Sequence, residues 1–171
     1  MKRSEIEFMP DYFDKYINEV DDIEIIDALN KYGTELLKSY RQQLINTGNK
    51  IYAENKWTVK EILQHLIDCE RIFCYRALAF AREDKTNLPG FAENEYAEVS
   101  DPDGRSIDDL ISDFDASRNS TIKMFESFND KMLMNHGICN NTKISVLAIG
   151  FVIAGHTLHH MKVLHSKYFS L

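Results

Sequence analysis

The chain has 171 residues, 44 % of them hydrophobic and 27 % charged, and a net charge of −7. That suits one globular domain, residues 1–171, with room for a full core, and it argues against a nucleic-acid partner, whose phosphates call for a basic face. No secretory h-region follows Met1-Lys2-Arg3, the longest apolar run (Val146 to Gly155) is too short to span a bilayer, and Cys69, Cys74 and Cys139 fall in no zinc-knuckle or CxxC spacing. The expectation is a cytoplasmic protein with reduced thiols and no membrane contact.

In chain order, residues 1–20 read as a lead-in with a helical turn or two between Pro10 and Val20. A first helix is expected from Asp21 to Ile45, with Ile26, Leu29, Leu36, Leu37, Tyr40 and Leu44 as its apolar stripe and a kink at Gly33. The second helix has the clearest start: Thr58 is followed three residues later by Glu61, a capping box, with Trp57 placed to staple onto Ile62. It runs to about Arg82 and buries Ile62, Leu66, Cys69, Phe73, Ala77 and Phe80. A long connection, 83–105, contains Leu88-Pro89-Gly90-Phe91 and can cross the bundle, so that helices two and three run parallel. Helix three extends from Ile107 to Phe128, residues 129–142 read as a polar loop, and helix four spans Ser145 to Tyr168. The expectation is all-α: a four-helix bundle, at least two-thirds helical and without sheet.

Helix four holds four of the six histidines. At 100° per residue, His156 and His160 lie about 40° apart, one turn from each other, at the centre of the apolar face; His159 lies at its edge and His165 on the wet side. Two imidazoles so placed can grip one metal ion or stand as core histidines bonded to a neighbouring helix. His65, at the margin of the helix-two stripe, reaches a depth similar to that of His160 if helices two and four are antiparallel.

The segment Trp57-Thr58-Val59-Lys60-Glu61-Ile62-Leu63-Gln64-His65-Leu66-Ile67-Asp68-Cys69-Glu70-Arg71, the later Tyr75-Arg76-Ala77 and Leu88-Pro89-Gly90-Phe91, and Ala154-Gly155-His156-Thr157-Leu158-His159-His160 together resemble the DinB-like family. The resemblance covers roughly residues 20–168. It implies a four-helix bundle of up-down-down-up topology, a homodimer, and a divalent metal held by His65, His156 and His160. Relatives include transferases and isomerases that use a low-molecular-weight thiol, and proteins linked to stress.

Three neutral imidazoles leave an ion's charge uncancelled and a coordination position open, which favours catalysis; zinc, nickel or iron accept such ligands. Asp68, three residues after His65, is a candidate general base or a solvated helix carboxylate. Arg76 is expected to pair with Glu93 or Glu95, or else to hold an anionic substrate, and Cys69 to be a small apolar filler. Two functions remain: a metal-dependent hydrolase or thiol-dependent transferase acting on a small molecule, and a non-catalytic metal- or ligand-binding bundle linked to stress.

Overall fold

The computed structural model describes residues 1–171 and is 63 % helical. In chain order the helices are α1 (Asp14–Ile17), α2 (Ile25–Lys31), α3 (Thr34–Ser39), α4 (Arg41–Thr47), α5 (Val59–Ala81), α6 (Glu93–Val99), α7 (Ile107–Glu126), α8 (Asp130–Met134) and α9 (Val146–Lys167). The long helices start where their caps dictate. Thr58 Oγ1 accepts from the Glu61 N–H at 3.2 Å while the Glu61 carboxylate accepts from the Thr58 N–H at 2.6 Å. Ser106 and Asp109 repeat the device on α7, and Ser145 caps α9.

The single helix expected over 21–45 is instead three short ones. The chain breaks after Lys31 and again after Ser39. At the first break the carbonyls of Leu29 and Tyr32 turn to Arg118, whose Nη1 donates to both at 2.8 and 2.9 Å. Gly33 is therefore more than a kink. A Cβ there would crowd the Leu29 carbonyl oxygen and the Arg118 guanidinium.

Residues 129–142 are not a plain loop, and the expectation of no sheet is overturned. After α8, β1 (His136–Cys139) pairs antiparallel with β2 (Thr142–Ser145), His136 opposite Ser145 and Cys139 opposite Thr142. Asn140 and Asn141 form the turn at φ 49° and 60°, the left-handed pair that a two-residue hairpin requires. The ribbon and the short linking turns bring helix content slightly below two-thirds. The ribbon also anchors the crossover from α5 to α7: the Leu88 N–H donates to Ile138 O and the Asn140 N–H to Leu88 O. Arg76 joins in by donating from Nη2 to Pro89 O at 2.8 Å, and it forms no ion pair with Glu93 or Glu95.

Contacts along α5 and α7 climb together, Gln64 with Arg105, Arg71 with Asp113 and Cys74 with Thr121, so these helices run in the same sense. Contacts between α5 and α9 run oppositely: Trp57 with Tyr168, His65 with His160, Phe73 with His156. Every residue of α9 from Val146 to Thr157 is buried, which makes it the central helix. By length and composition α9 could cross a membrane, contrary to the estimate from its apolar run, but 72 % of its most apolar window is buried inside this fold.

The apolar core is divided. One cluster holds Ile17, Leu29, Phe73, Phe125 and Phe151; the other holds Leu37, Leu63, Leu110, Phe114 and Leu164. Membership changes along α5 between Ile67 and Cys69, and along α9 between Ala154 and Met161. The change along α9 brackets His156, His159 and His160, and the change along α5 begins two residues after His65. A polar layer therefore crosses the bundle where the two clusters meet.

Candidate metal centre

The polar layer contains His65 from α5 and His156 and His160 from α9. His65 Nε2 lies 3.2 Å from His156 Nε2, and His160 Nε2 lies 3.1 Å from the same atom. The three ring centroids are 4.6 to 5.0 Å apart. The i, i+4 spacing on α9 supplies two of these rings, and the antiparallel packing of α5 supplies the third.

Protons alone do not satisfy this arrangement. An imidazole nitrogen carries either one N–H or one lone pair, in the ring plane. His156 Nε2 can make one hydrogen bond, not two, so at least one of its close contacts lacks a proton to share. A divalent ion held by these imidazole nitrogens would account for both close contacts without a shared proton. Burial lowers His65 to about 4 and His160 to about 3, and holds His156 well below its ordinary range. All three rings are thus neutral at pH 7, the form that binds metal.

Cys69, expected to be an apolar filler, stands in this cluster. Its sulfur is 3.6 Å from both Nδ1 and Nε2 of His65, and His65, Cys69 and His156 present donor atoms within 4.8 Å of one another. Equal distances to both nitrogens place the sulfur over the face of the ring, away from the in-plane lone pairs. Burial and the Glu93 carboxylate raise the thiol's pKa, so it is protonated at pH 7 without a metal. The Nε2 atoms of His65 and His160 each approach that of His156 more closely than the sulfur approaches either His65 nitrogen, and Cys69 stands beside them.

The other candidates lie elsewhere. His159 Nδ1 contacts Glu19 Oε1 at 3.1 Å, and Lys162 Nζ is 3.1 Å from Glu19 Oε2. Asp68 accepts from Gln64 Nε2 at 2.9 Å, lies 3.6 Å from Arg71, and lines neither cleft at the histidines. Glu70 is buried and takes two hydrogen bonds from Arg118.

Two clefts reach the cluster. The larger, about 420 Å³, ends on His156 and Cys69 and is walled by Tyr12, Tyr16, Phe73 and Phe91. The smaller, about 210 Å³, ends on His160 and includes Lys56, Trp57 and Tyr168. Asn94 of α6 borders both. Trp57, expected to staple the start of α5, lies 4.7 Å from the His65 ring, and Tyr16 meets His156 and His159 edge to face at 5.1 and 5.2 Å. The roles of Tyr12, Tyr16 and Asn94 were not legible beforehand. The one available signal was the aromatic density of residues 12–16 just ahead of the bundle.

The profile of the DinB superfamily matches residues 45–164, and the chain belongs to that superfamily. Among solved structures it is similar to YfiT from Bacillus subtilis, described as a probable metal-dependent hydrolase with an unusual four-helix bundle topology. The two are 13 % identical, with a TM-score of 0.63 over 81 % of this chain and 84 % of that one. That likeness supports the bundle fold. No curated protein sequence matches the chain.

Proposed function

We infer that this protein is a metal-dependent enzyme acting on a small molecule, with His65, His156 and His160 as ligands of one divalent ion and hydrolysis as its reaction class. The observation that carries it is the approach of three neutral imidazoles, buried His65 and His156 and half-buried His160, beside open clefts. The description of YfiT as a probable metal-dependent hydrolase supports the same class. When bound, such an ion supplies Lewis acidity and lowers the proton affinity of water or a thiol.

The chain's own residues supply the rest. Tyr16 and Phe73 pack against His156 and Trp57 against His65, which fixes the rings and limits water around them. Burial keeps the Tyr16 phenol protonated, so it can donate a hydrogen bond into the larger cleft that it lines. Asp68, held by Gln64 and near Arg71, receives no role at the reacting centre.

A second reading is group transfer from a thiol. One observation favours it: two separate clefts, one lined by His156 and one by His160, share Asn94 in their walls and give room for two reactants. The experiment is metal analysis of the purified protein, followed by ester and amide hydrolysis, and thiol addition to electrophiles, with and without chelator. Metal-dependent hydrolysis supports the first reading, and thiol-dependent turnover without hydrolysis the second. A protein that takes up no zinc or nickel favours a non-catalytic bundle with three core histidines.

A further inference from the structure

The larger cleft has a feature that hydrolysis or thiol transfer alone does not require. Its walls are aromatic, yet its rim is acidic: Glu93 and Glu95 line it from α6, and neither forms an ion pair. The cations nearest those walls are already engaged. Lys15 lies over the rings of Tyr12 and Tyr16, at 4.2 and 4.8 Å. Arg76 lies over Phe73 and Phe91, at 5.6 and 5.9 Å, and donates to Pro89 O. Neither lines the cleft. The open end of the cleft is therefore negative, while its floor is the candidate metal centre. His156 and Cys69, only 6 % and 3 % exposed, bring that floor into the fold.

We propose that the larger cleft receives a small amphoteric molecule, its metal-seeking group at the histidines, its apolar body between Tyr16, Phe73 and Phe91, and an ammonium group at Glu93 and Glu95. This rests on the metal-dependent reading above and names the substrate class for it. The apolar body matches the rings, and an ammonium beside aromatic edges and unpaired carboxylates gains cation–π and ionic attraction. A purely anionic ligand meets the two carboxylates on entry. A purely cationic one gains nothing at the metal. Opposite charges at the two ends of one cleft select for both.

The test varies the tail while keeping the head. Calorimetry on the zinc-loaded protein compares 6-aminohexanohydroxamate, hexanohydroxamate and adipic monohydroxamate, which share a zinc-binding head and differ in tail charge. The ammonium tail is expected to bind about fivefold tighter than the neutral one, and the carboxylate tail more weakly than either. E93Q/E95Q, at two exposed positions, removes the preference without changing zinc content or the affinity of the neutral probe. Equal affinities, or a preference that survives E93Q/E95Q, overturn the proposal. A second arm uses chelator-treated protein with hexylammonium and hexanoate, read by NMR shifts of the Tyr12 and Tyr16 rings. If hexylammonium is preferred there while no hydroxamate binds the zinc-treated protein, the metal reading falls and the cation cleft stands. If hydroxamates bind zinc but neither arm shows an ammonium preference, the cation cleft falls and the metal reading stands.

Discussion

Gly155 lies directly against the main chain of Tyr16: a Cβ at position 155 would overlap the Tyr16 carbonyl group. This contact lets α1 pack onto α9 beside the histidines and sets the Tyr16 ring on His156. Residues 12–16 lie outside the segment matched to the superfamily, and they complete the larger cleft in this chain. Gly155→Ala is expected to push α1 away and cost about 1–3 kcal/mol, as overpacking does. Urea unfolding measures the cost, and NMR contacts between Tyr16 and His156 report the displacement. Unchanged stability with those contacts intact would show that the backbone approach is unimportant.

The bundle was legible because its signals are local. Thr58-Glu61 and Ser106-Asp109 mark helix starts by hydrogen bonds within four residues, and His156 and His160 share a face by helical period alone. What stayed illegible depends on distant partners. Gly33 announces a weak point, but the break is completed by Arg118, which is 85 positions along the chain. Asn140-Asn141 is a hairpin signal of the Asn-Gly kind, but the flanking strands are only four residues each, too short to show an alternating pattern. The charge of Arg76 calls for a carboxylate partner, yet the fold gives it a carbonyl and two aromatic faces. Cys69 looks apolar on a helical wheel; it stands one turn from His65 on α5 by spacing alone, and only the packing of α9 brings it beside His156 as well.

Stability should depend on pH through the same histidines. In chelator-treated protein, burial lowers His65 from 6.5 to about 4 and His160 to about 3. Between those values and 6.5 the unfolded chain binds protons that the folded chain does not. The contribution is therefore complete above about pH 6.5 and is lost as pH falls toward 4. The shift at His65 corresponds to about 3 kcal/mol. Denaturation midpoints across pH 4 to 7 should fall in this direction, and His65→Ala should flatten the fall. Zinc should raise stability at pH 7 by ~2.7 kcal/mol when free metal is a hundredfold above its dissociation constant. A flat profile in the chelated wild type would contradict the burial of neutral imidazoles.

Arg118 uses all five of its N–H donors. Nε and Nη2 reach the two oxygens of Glu70 at 2.7 and 2.9 Å, Nη1 takes two carbonyls, and Nη2 also donates to Thr157 Oγ1 at 3.0 Å. Both charged side chains are 2 % exposed. Removing one partner leaves a buried charge uncompensated, so Arg118→Met should cost about 3–5 kcal/mol, and the double variant Glu70→Met/Arg118→Met should recover part of it. Denaturant unfolding of the two variants decides. A single variant within 1 kcal/mol of wild type would mean that the pair contributes little.

The donor set is tested most sharply by setting Cys69 against His160. If the three nitrogens hold the ion, His65→Ala, His156→Ala and His160→Ala each lose bound metal, whereas Cys69→Ser and His159→Ala keep it. The physical basis is angular: the Nε2 atoms of His65 and His160 lie 3.2 and 3.1 Å from that of His156, at separations one ion spans, while the Cys69 sulfur sits over a ring face 3.6 Å from both His65 nitrogens. Metal content by mass spectrometry gives the first reading. Cobalt substitution gives a second, independent of affinity: a nitrogen-and-water site shows only weak visible bands, and a bound thiolate adds intense near-ultraviolet charge-transfer absorption. The expected spectrum lacks that absorption and is the same in Cys69→Ser. A thiolate band that disappears in Cys69→Ser, together with metal retained in His160→Ala, would move the ligand set to His65, Cys69 and His156.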